Sequence, residues 1–238
     1  MMKQIGFFVT GTDTDAGKTF VSVLLLQGYA ALGIKALGAK PLAAGADFAA
    51  DGSLQNGDAL LLQQHSGIAL PYAQHNPLCL QQPAAPHLVA AAAGIRLDES
   101  QLTAQLQQLG HTEAERILIE GAGGWLLPLS AERYLADWVS EQPLPVVLVV
   151  GIKLGCLNHA MLTVRELQRS GVKLLGWVAN IISPQMLLLE QNIADLQQRI
   201  AAPLLATIPY APSDSAAIAL QLTQALEQQL TKSSQQAV

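Results

Sequence analysis

Residues 5–10, IGFFVT, form an apolar run that gives way to GTDTDAGKT (11–19) and then to VSVLLLQGYAAL (21–32). A short aromatic and β-branched run feeding a long apolar stretch reads as a buried strand entering a helix. That junction constrains the fold most, because a strand buried on both faces belongs to a parallel sheet, which needs crossover helices and further strands of the same kind. The sequence supplies them. After a first strand expected over KQIGFFVT (3–10) come KALGAK (35–40), stopped by Pro41, then RILIE (116–120), PVVLVV (145–150), LLGWVAN (174–180) and LLATIP (204–209). Helices are expected over 18–32, 57–65, 84–93, 98–110, 134–141, 158–170, 184–200 and 214–231, with Asp98 and Gln101 marking a start. The alternation predicts a single α/β domain over residues 1–231, a mostly parallel twisted sheet flanked by helices on both faces. The polar end KSSQQAV (232–238) is expected to fray.

Composition excludes several classes. Charged residues are 13% of the chain, against roughly 25% in an average soluble protein, so much of the surface is either Gln, Ser and Ala or covered by a partner, which is compatible with a homo-oligomer. A net charge of −5 with no Lys/Arg-rich run argues against nucleic acid as a partner. The longest apolar stretch, PVVLVVGI, is less than half the roughly 20 residues of a membrane-spanning helix. MMKQIGFF lacks the apolar core of a signal peptide, so a cytoplasmic protein is expected. Cys79 and Cys156 have no metal or redox spacing and read as small thiols, and the five histidines also lack metal spacing. Trp125, Trp138 and Trp177 read as core.

In such a sheet, ligands gather beyond the carboxyl ends of the strands. GTDTDAGKT lies there, and its Gly17-Lys18-Thr19 ending is that of a phosphate-binding loop. Backbone amides and a helix start converge on anionic oxygens, the lysine reaches the β- and γ-phosphates and the hydroxyl ligates Mg²⁺. Gly11 stands six residues before Gly17 rather than five, one too many for the common spacing. Glu120 ends the RILIE strand and precedes Gly121, Gly123 and Gly124, which suits a metal-holding acid beside a close-approaching ligand. It also suits an ordinary strand-ending acid in a glycine turn. Lys40 ends its strand beside the same loop, where nearby anions would keep it protonated; the alternative is a solvated lysine before a proline turn. Asp58 fits a dipole-complementing acid in a first helical turn.

FVTGTDTDAGKT, KPLAAG, GDAL, EGAGGWLLPL, ADWV, LPVVLVVGIKLGCLNHAMLT, GWVAN and IPY occur in this order over nearly the whole chain, which resembles the dethiobiotin synthetase family with its phosphate-loop NTPase fold. The resemblance implies an ATP-dependent cyclo-ligase of biotin formation that joins 7,8-diaminononanoate and CO₂ (or bicarbonate) at the expense of ATP. It implies that Thr14, Asp15, Ala16, Gly17, Lys18 and Thr19 wrap the ATP phosphates, with Gly121, Ala122 and Gly123 alongside, and that Thr19, Asp58 and Glu120 surround Mg²⁺. Lys40 and Lys18 take the catalytic roles, and Asn180 with Ile208, Pro209 and Tyr210 holds adenine. Ala44 and Gly45 face the substrate. Leu154, Gly155, Cys156, Leu157 and Asn158 bind its distant carboxylate from the other subunit of a homodimer; Lys153 beside them adds charge there or faces water, and Asn158 also suits an ordinary helix cap. Three positions depart from the family pattern: Asp15 stands for a glutamate, Ala44 for a serine and Tyr210 for a tryptophan. The rival reading is a switch ATPase of the partitioning or septum-site type. Those proteins carry a signature lysine five residues before the loop lysine, where this chain has Asp13.

Overall fold

The computed structural model describes residues 5–235. Its first half runs β1 (Ile5–Gly11), α1 (Lys18–Ala31), β2 (Ala36–Ala39), β3 (Leu42–Ala44), β4 (Asp47–Phe48), β5 (Leu54–Gln55), α2 (Gly57–His65), α3 (Tyr72–His75), β6 (Leu78–Leu80), α4 (Pro86–Ala92) and α5 (Glu99–Leu109). Then follow β7 (Arg116–Glu120), α6 (Leu135–Ser140), β8 (Val146–Ile152), α7 (Cys156–Arg169), β9 (Leu174–Ile181), α8 (Leu189–Arg199), β10 (Leu204–Ile208) and α9 (Ser215–Gln235).

Six strands form one sheet in the order β10-β9-β8-β1-β7-β2, every pair parallel. Alternate side chains of each strand enter opposite cores. Phe7, Val9, Val147 and Val149 pack with α1 and α9 on one face, while Phe8, Ile119, Leu148 and Val150 pack with the helices of the other. All seven residues of β8 are buried, as its unbroken apolar run requires. The three tryptophans are core residues, at most 4% exposed. Among the described residues no helix is long and apolar enough to cross a membrane.

Several boundaries differ from expectation for local reasons. Helix α7 starts at Cys156 rather than 158, because Gly155 (φ 92°) makes the left-handed turn just before it. Helix α8 starts at Leu189 rather than 184, since Leu188 (φ 54°) interrupts the backbone. Asp98 does cap α5, accepting from the Ser100 amide at 2.8 Å. Helix α9 continues beyond 231 to Gln235; the rest of the expected tail, 236–238, lies outside the described residues, as do Lys3 and Gln4 of the expected first strand. The two-stranded pairs β3-β6 and β4-β5, and the one-turn α3, were not expected.

The strand order reverses at β1: its neighbours β7 and β8 lie on opposite sides, and the crevice at such a reversal is where open α/β sheets bind ligands. Register sets what meets there. Val9 pairs with Glu120 and Ala39 with Ile119, so the loop after β1, Glu120 and Lys40 emerge side by side.

Candidate active site

The loop between β1 and α1 is shaped by two left-handed residues, Asp15 (φ 59°) and Gly17 (φ 92°). Aspartate tolerates that region better than most residues, which gives Asp15 a backbone reason where the family pattern has glutamate. At Gly17 a Cβ would collide with the Asn180 amide, so the position needs glycine on both counts. Asn180, at the end of β9, donates from Nδ2 to the Ala16 carbonyl at 2.9 Å and braces the loop from beneath. Lys18 heads α1, its Nζ donating to the Asp13 carbonyl at 3.0 Å. Burial, and secondly the Lys40 ammonium, push Lys18 down to about 8. Anionic oxygens in the loop would oppose that shift.

Beside the loop lies a cluster of opposite charges. Glu120 is fully buried, and its Oε1 accepts from Thr19 Oγ1 at 2.7 Å and from Lys40 Nζ at 2.7 Å. Lys40 Nζ also donates to Asp58 Oδ2 at 2.8 Å. Burial lowers an ammonium, but the carboxylates of Glu120 and Asp58 outweigh it and hold Lys40 above its ordinary value. Glu120 Oε2 is buried with no partner. A carboxylate oxygen in that condition, next to a hydroxyl and a second carboxylate, is a fitting environment for a hard cation. Among the described residues no three His, Cys, Asp or Glu gather into a cage. Mg²⁺ needs none, since it commonly takes one or two carboxylates and completes its shell with phosphates and water.

A cavity of about 770 Å³ opens over this cluster. One end is polar, with Lys18, Thr19, Lys40 and Asp58; the walls come from Phe20, Ala44, Pro83–Pro86, Ala122, Gly123 and Leu126–Pro128. Sequence reasoning passed over the 83–86 wall, because alanines and prolines carry no chemical signal. The Gly121 amide donates to the Val9 carbonyl at 2.9 Å, and Gly123 (φ 59°) turns the chain along the cavity rim. Ala44 faces the cavity, while the Gly45 amide already donates to the Gln82 carbonyl at 3.1 Å.

The remaining candidates lie apart from the cavity wall of this single chain. Lys153 Nζ pairs with Asp13 Oδ2 at 3.2 Å, tying the β8–α7 loop to the phosphate loop. Burial raises the Asp13 carboxyl, but Lys153 beside it prevails and holds it below its usual value. Leu154 is 90% exposed, Cys156 is buried with its amide donating to the Lys153 carbonyl at 2.9 Å, and the amides of Leu157 and Asn158 fall in the first turn of α7, where a helix has no internal acceptor. Ile208 is a core side chain; Pro209 and Tyr210 face outward.

A helix mouth with a lysine and a threonine, at the reversal point of a parallel sheet, defines a phosphate-loop nucleotide-binding protein. Residues 5–217 match the family described as AAA domain. The chain is 46% identical over 213 residues to the ATP-dependent dethiobiotin synthetase BioD 1 of Salmonella typhimurium, covering 88% of this chain and 92% of that protein. It is 45% identical to BioD 1 of Escherichia coli K12, over 86% and 90% of the two chains. The chain belongs to the ATP-dependent dethiobiotin synthetase family, within the AAA domain proteins. Among solved structures it is similar to the cell division ATPase MinD of Pyrococcus furiosus, with TM-score 0.58 and 22% identity over 95% of this chain and 99% of that one. It is also similar to a ParA family ATPase of Chlorobium tepidum, with TM-score 0.54 and 12% identity over 97% and 99%. At those identities the likeness is one of fold.

Proposed function

We propose that this protein closes the ureido ring of dethiobiotin, using 7,8-diaminononanoate, CO₂ and ATP and releasing ADP and phosphate. The observation that carries the reading is the Lys40 ammonium, buried between Glu120 and Asp58 at the polar end of a cavity shared with the phosphate loop. One amine of the substrate adds to CO₂ and loses a proton, giving a carbamate. A carbamate oxygen attacks the γ-phosphorus and ADP leaves. The second amine then attacks the carbonyl carbon of the mixed anhydride, the C–O bond to phosphate breaks, the amine nitrogen gives up a proton to the departing phosphate or to solvent, and the five-membered cyclic urea forms.

The chain's own groups serve these steps by position and charge. Loop amides from Thr14 to Thr19 hold the phosphates, and Lys18 and Lys40 face the charge that builds on the transferred group. Thr19, Asp58 and Glu120 would hold Mg²⁺, which when bound neutralises phosphoryl charge. Apolar walls from Pro83–Pro86 and Leu126–Leu127 suit an aliphatic chain and exclude the water that would waste the anhydride. Holding amine and anhydride together supplies an effective molarity on the order of 10⁵ M or more. Adenine lies by Asn180 and the 208–210 segment, with Tyr210 in the place of the family tryptophan. The substrate carboxylate is taken by Lys153 and the first turn of α7 from a second copy, in a cytoplasmic homodimer.

The test is to mix protein, MgATP, bicarbonate and the diamine and to look by mass spectrometry for the cyclic urea. Formation of one urea per ADP supports the proposal. Phosphate release indifferent to the diamine would point instead to a switch ATPase.

A further inference from the structure

Lys40 is held by more than its two carboxylates. Its amide donates to the His75 carbonyl at 2.8 Å, and Asn76 Nδ2 donates to its carbonyl at 2.6 Å. His75 Nδ1 lies 2.6 Å from the Gly38 carbonyl, so the same buried segment grips β2 two residues earlier. Asn76 Oδ1 accepts from the Tyr72 hydroxyl at 2.8 Å, and that hydroxyl accepts from the Asn56 amide at 2.7 Å. Asn56 is the N-cap of α2, accepting from the Ala59 amide at 3.3 Å and donating to the Gly45 carbonyl at 3.1 Å. Asp58, in the first turn of that helix, returns to Lys40 Nζ. The contacts therefore close a circuit from the Lys40 backbone through Asn76, Tyr72 and the cap of α2 to Asp58 and back to the Lys40 ammonium.

We propose that Tyr72 is a positioning residue for the ring-closing reaction: through Asn76 and Asn56 its hydroxyl sets the placement of the Lys40 ammonium relative to Asp58. The inference rests on the catalytic reading of Lys40 given above. Tyr72 stands 32 residues from Lys40 and does not line the cavity, so it acts only through these links. A phenol offers one proton, and Asn76 Oδ1 takes it. That contact turns the amide's NH₂ toward the Lys40 carbonyl, the only arrangement that satisfies both ends. Burial raises the phenol well above its ordinary pKa, so the donor keeps its proton. Phenylalanine in its place would leave the Asn56 amide and Asn76 Oδ1 without this partner, free to shift the two charged groups apart.

The experiment is steady-state kinetics of Tyr72→Phe, with Lys40→Met measured beside it. A misplacement of about 1 Å at reacting groups costs up to about a hundredfold in rate. Tyr72→Phe is expected to lower kcat about tenfold or more, with KM for ATP changed less than kcat, because the loop amides that hold the phosphates lie outside the circuit. Asn76→Ser should do the same, and the double variant should be no slower than the slower single, since both break one chain. Additive losses, or a raised KM for ATP with kcat intact, overturn the proposal. Should Tyr72→Phe fail to fold, the kcat-against-KM split is read from Asn76→Ser alone. Full turnover in Lys40→Met refutes the reading of Lys40 itself, whereas a crippled Lys40→Met beside a fully active Tyr72→Phe refutes only the positioning role.

Discussion

Replacing Lys40 with methionine keeps most of the side-chain stem and removes the charge. The Lys40 side chain is 7% exposed and that of Glu120 0%, with 2.7 Å between Nζ and Oε1. At an effective dielectric of about 20 the attraction at that separation is about 6 kcal/mol, and it opposes the desolvation of both ions. In the variant Glu120 keeps the Thr19 hydroxyl at 2.7 Å, while the ammonium that balanced its charge is gone. Stranding one member of a buried pair costs about 3–5 kcal/mol. In a chain of this size each kcal/mol moves the melting midpoint by about 2–4 °C, so the fall should be roughly 6–20 °C. Such a variant still folds, since domain stabilities are commonly about 5–15 kcal/mol. The assay is urea and thermal unfolding of the nucleotide-free protein in a metal chelator at neutral pH, on Lys40→Met and on Lys40→Met combined with Glu120→Gln. The second change removes the stranded charge and should restore most of the loss. A Lys40→Met midpoint within about 1 kcal/mol of the parent, or a double variant weaker than the single, would refute this account of the cluster.

Three further outcomes follow from the same geometry. Burial lowers His75 despite its bond to the Gly38 carbonyl, so the unfolded chain takes up a proton that the folded one resists. Stability should therefore be lost as pH falls below about 6.5, and His75→Gln should flatten that slope in urea midpoints measured from pH 7 to 5. Gly17→Ala forces a side chain into a left-handed conformation, costing about 1–2 kcal/mol, and drives its methyl into the Asn180 amide; calorimetric titration should show weakened nucleotide binding. Adding Asn180→Ala should recover part of the stability. Lys18→Met removes a buried ammonium pushed down to about 8, so the nucleotide-free protein should gain on the order of 1–3 kcal/mol in unfolding experiments while losing affinity for ATP.

The sequence was most informative where chemistry coincides with a strand end. The turn from IGFFVT into GKT, the glutamate closing RILIE and the lysine closing KALGAK were each legible by themselves, and the parallel register brings all three together. The supports of Lys40 were not legible. Asn56, Tyr72, His75 and Asn76 act through contacts to carbonyls and amides 11 to 37 residues away, and no local periodicity encodes such pairings. Strands β3 to β6 escaped for a similar reason: two or three residues are too few to display an alternation. The start of α8 was misplaced because Leu188 is a leucine in a left-handed turn, which its side chain does not announce. The cavity's apolar side stayed hidden because residues 83–86 acquire meaning only once folded against Leu126 and Leu127.

Among the described residues the last helix, α9, lies against the first, α1. Leu222, Leu226 and Leu230 fill the layer beside Leu25 and Tyr29, Thr223 Oγ1 meets the Leu25 carbonyl at 3.3 Å, and Glu227 receives both Tyr29 and Arg116. A nascent chain leaving the ribosome thus exposes the oily back of its nucleotide-binding helix until residues 222–230, far behind in the order of synthesis, follow it out. Packing behind the phosphate loop waits on that distant partner, so the two helices close one layer only after the strands between them have been made.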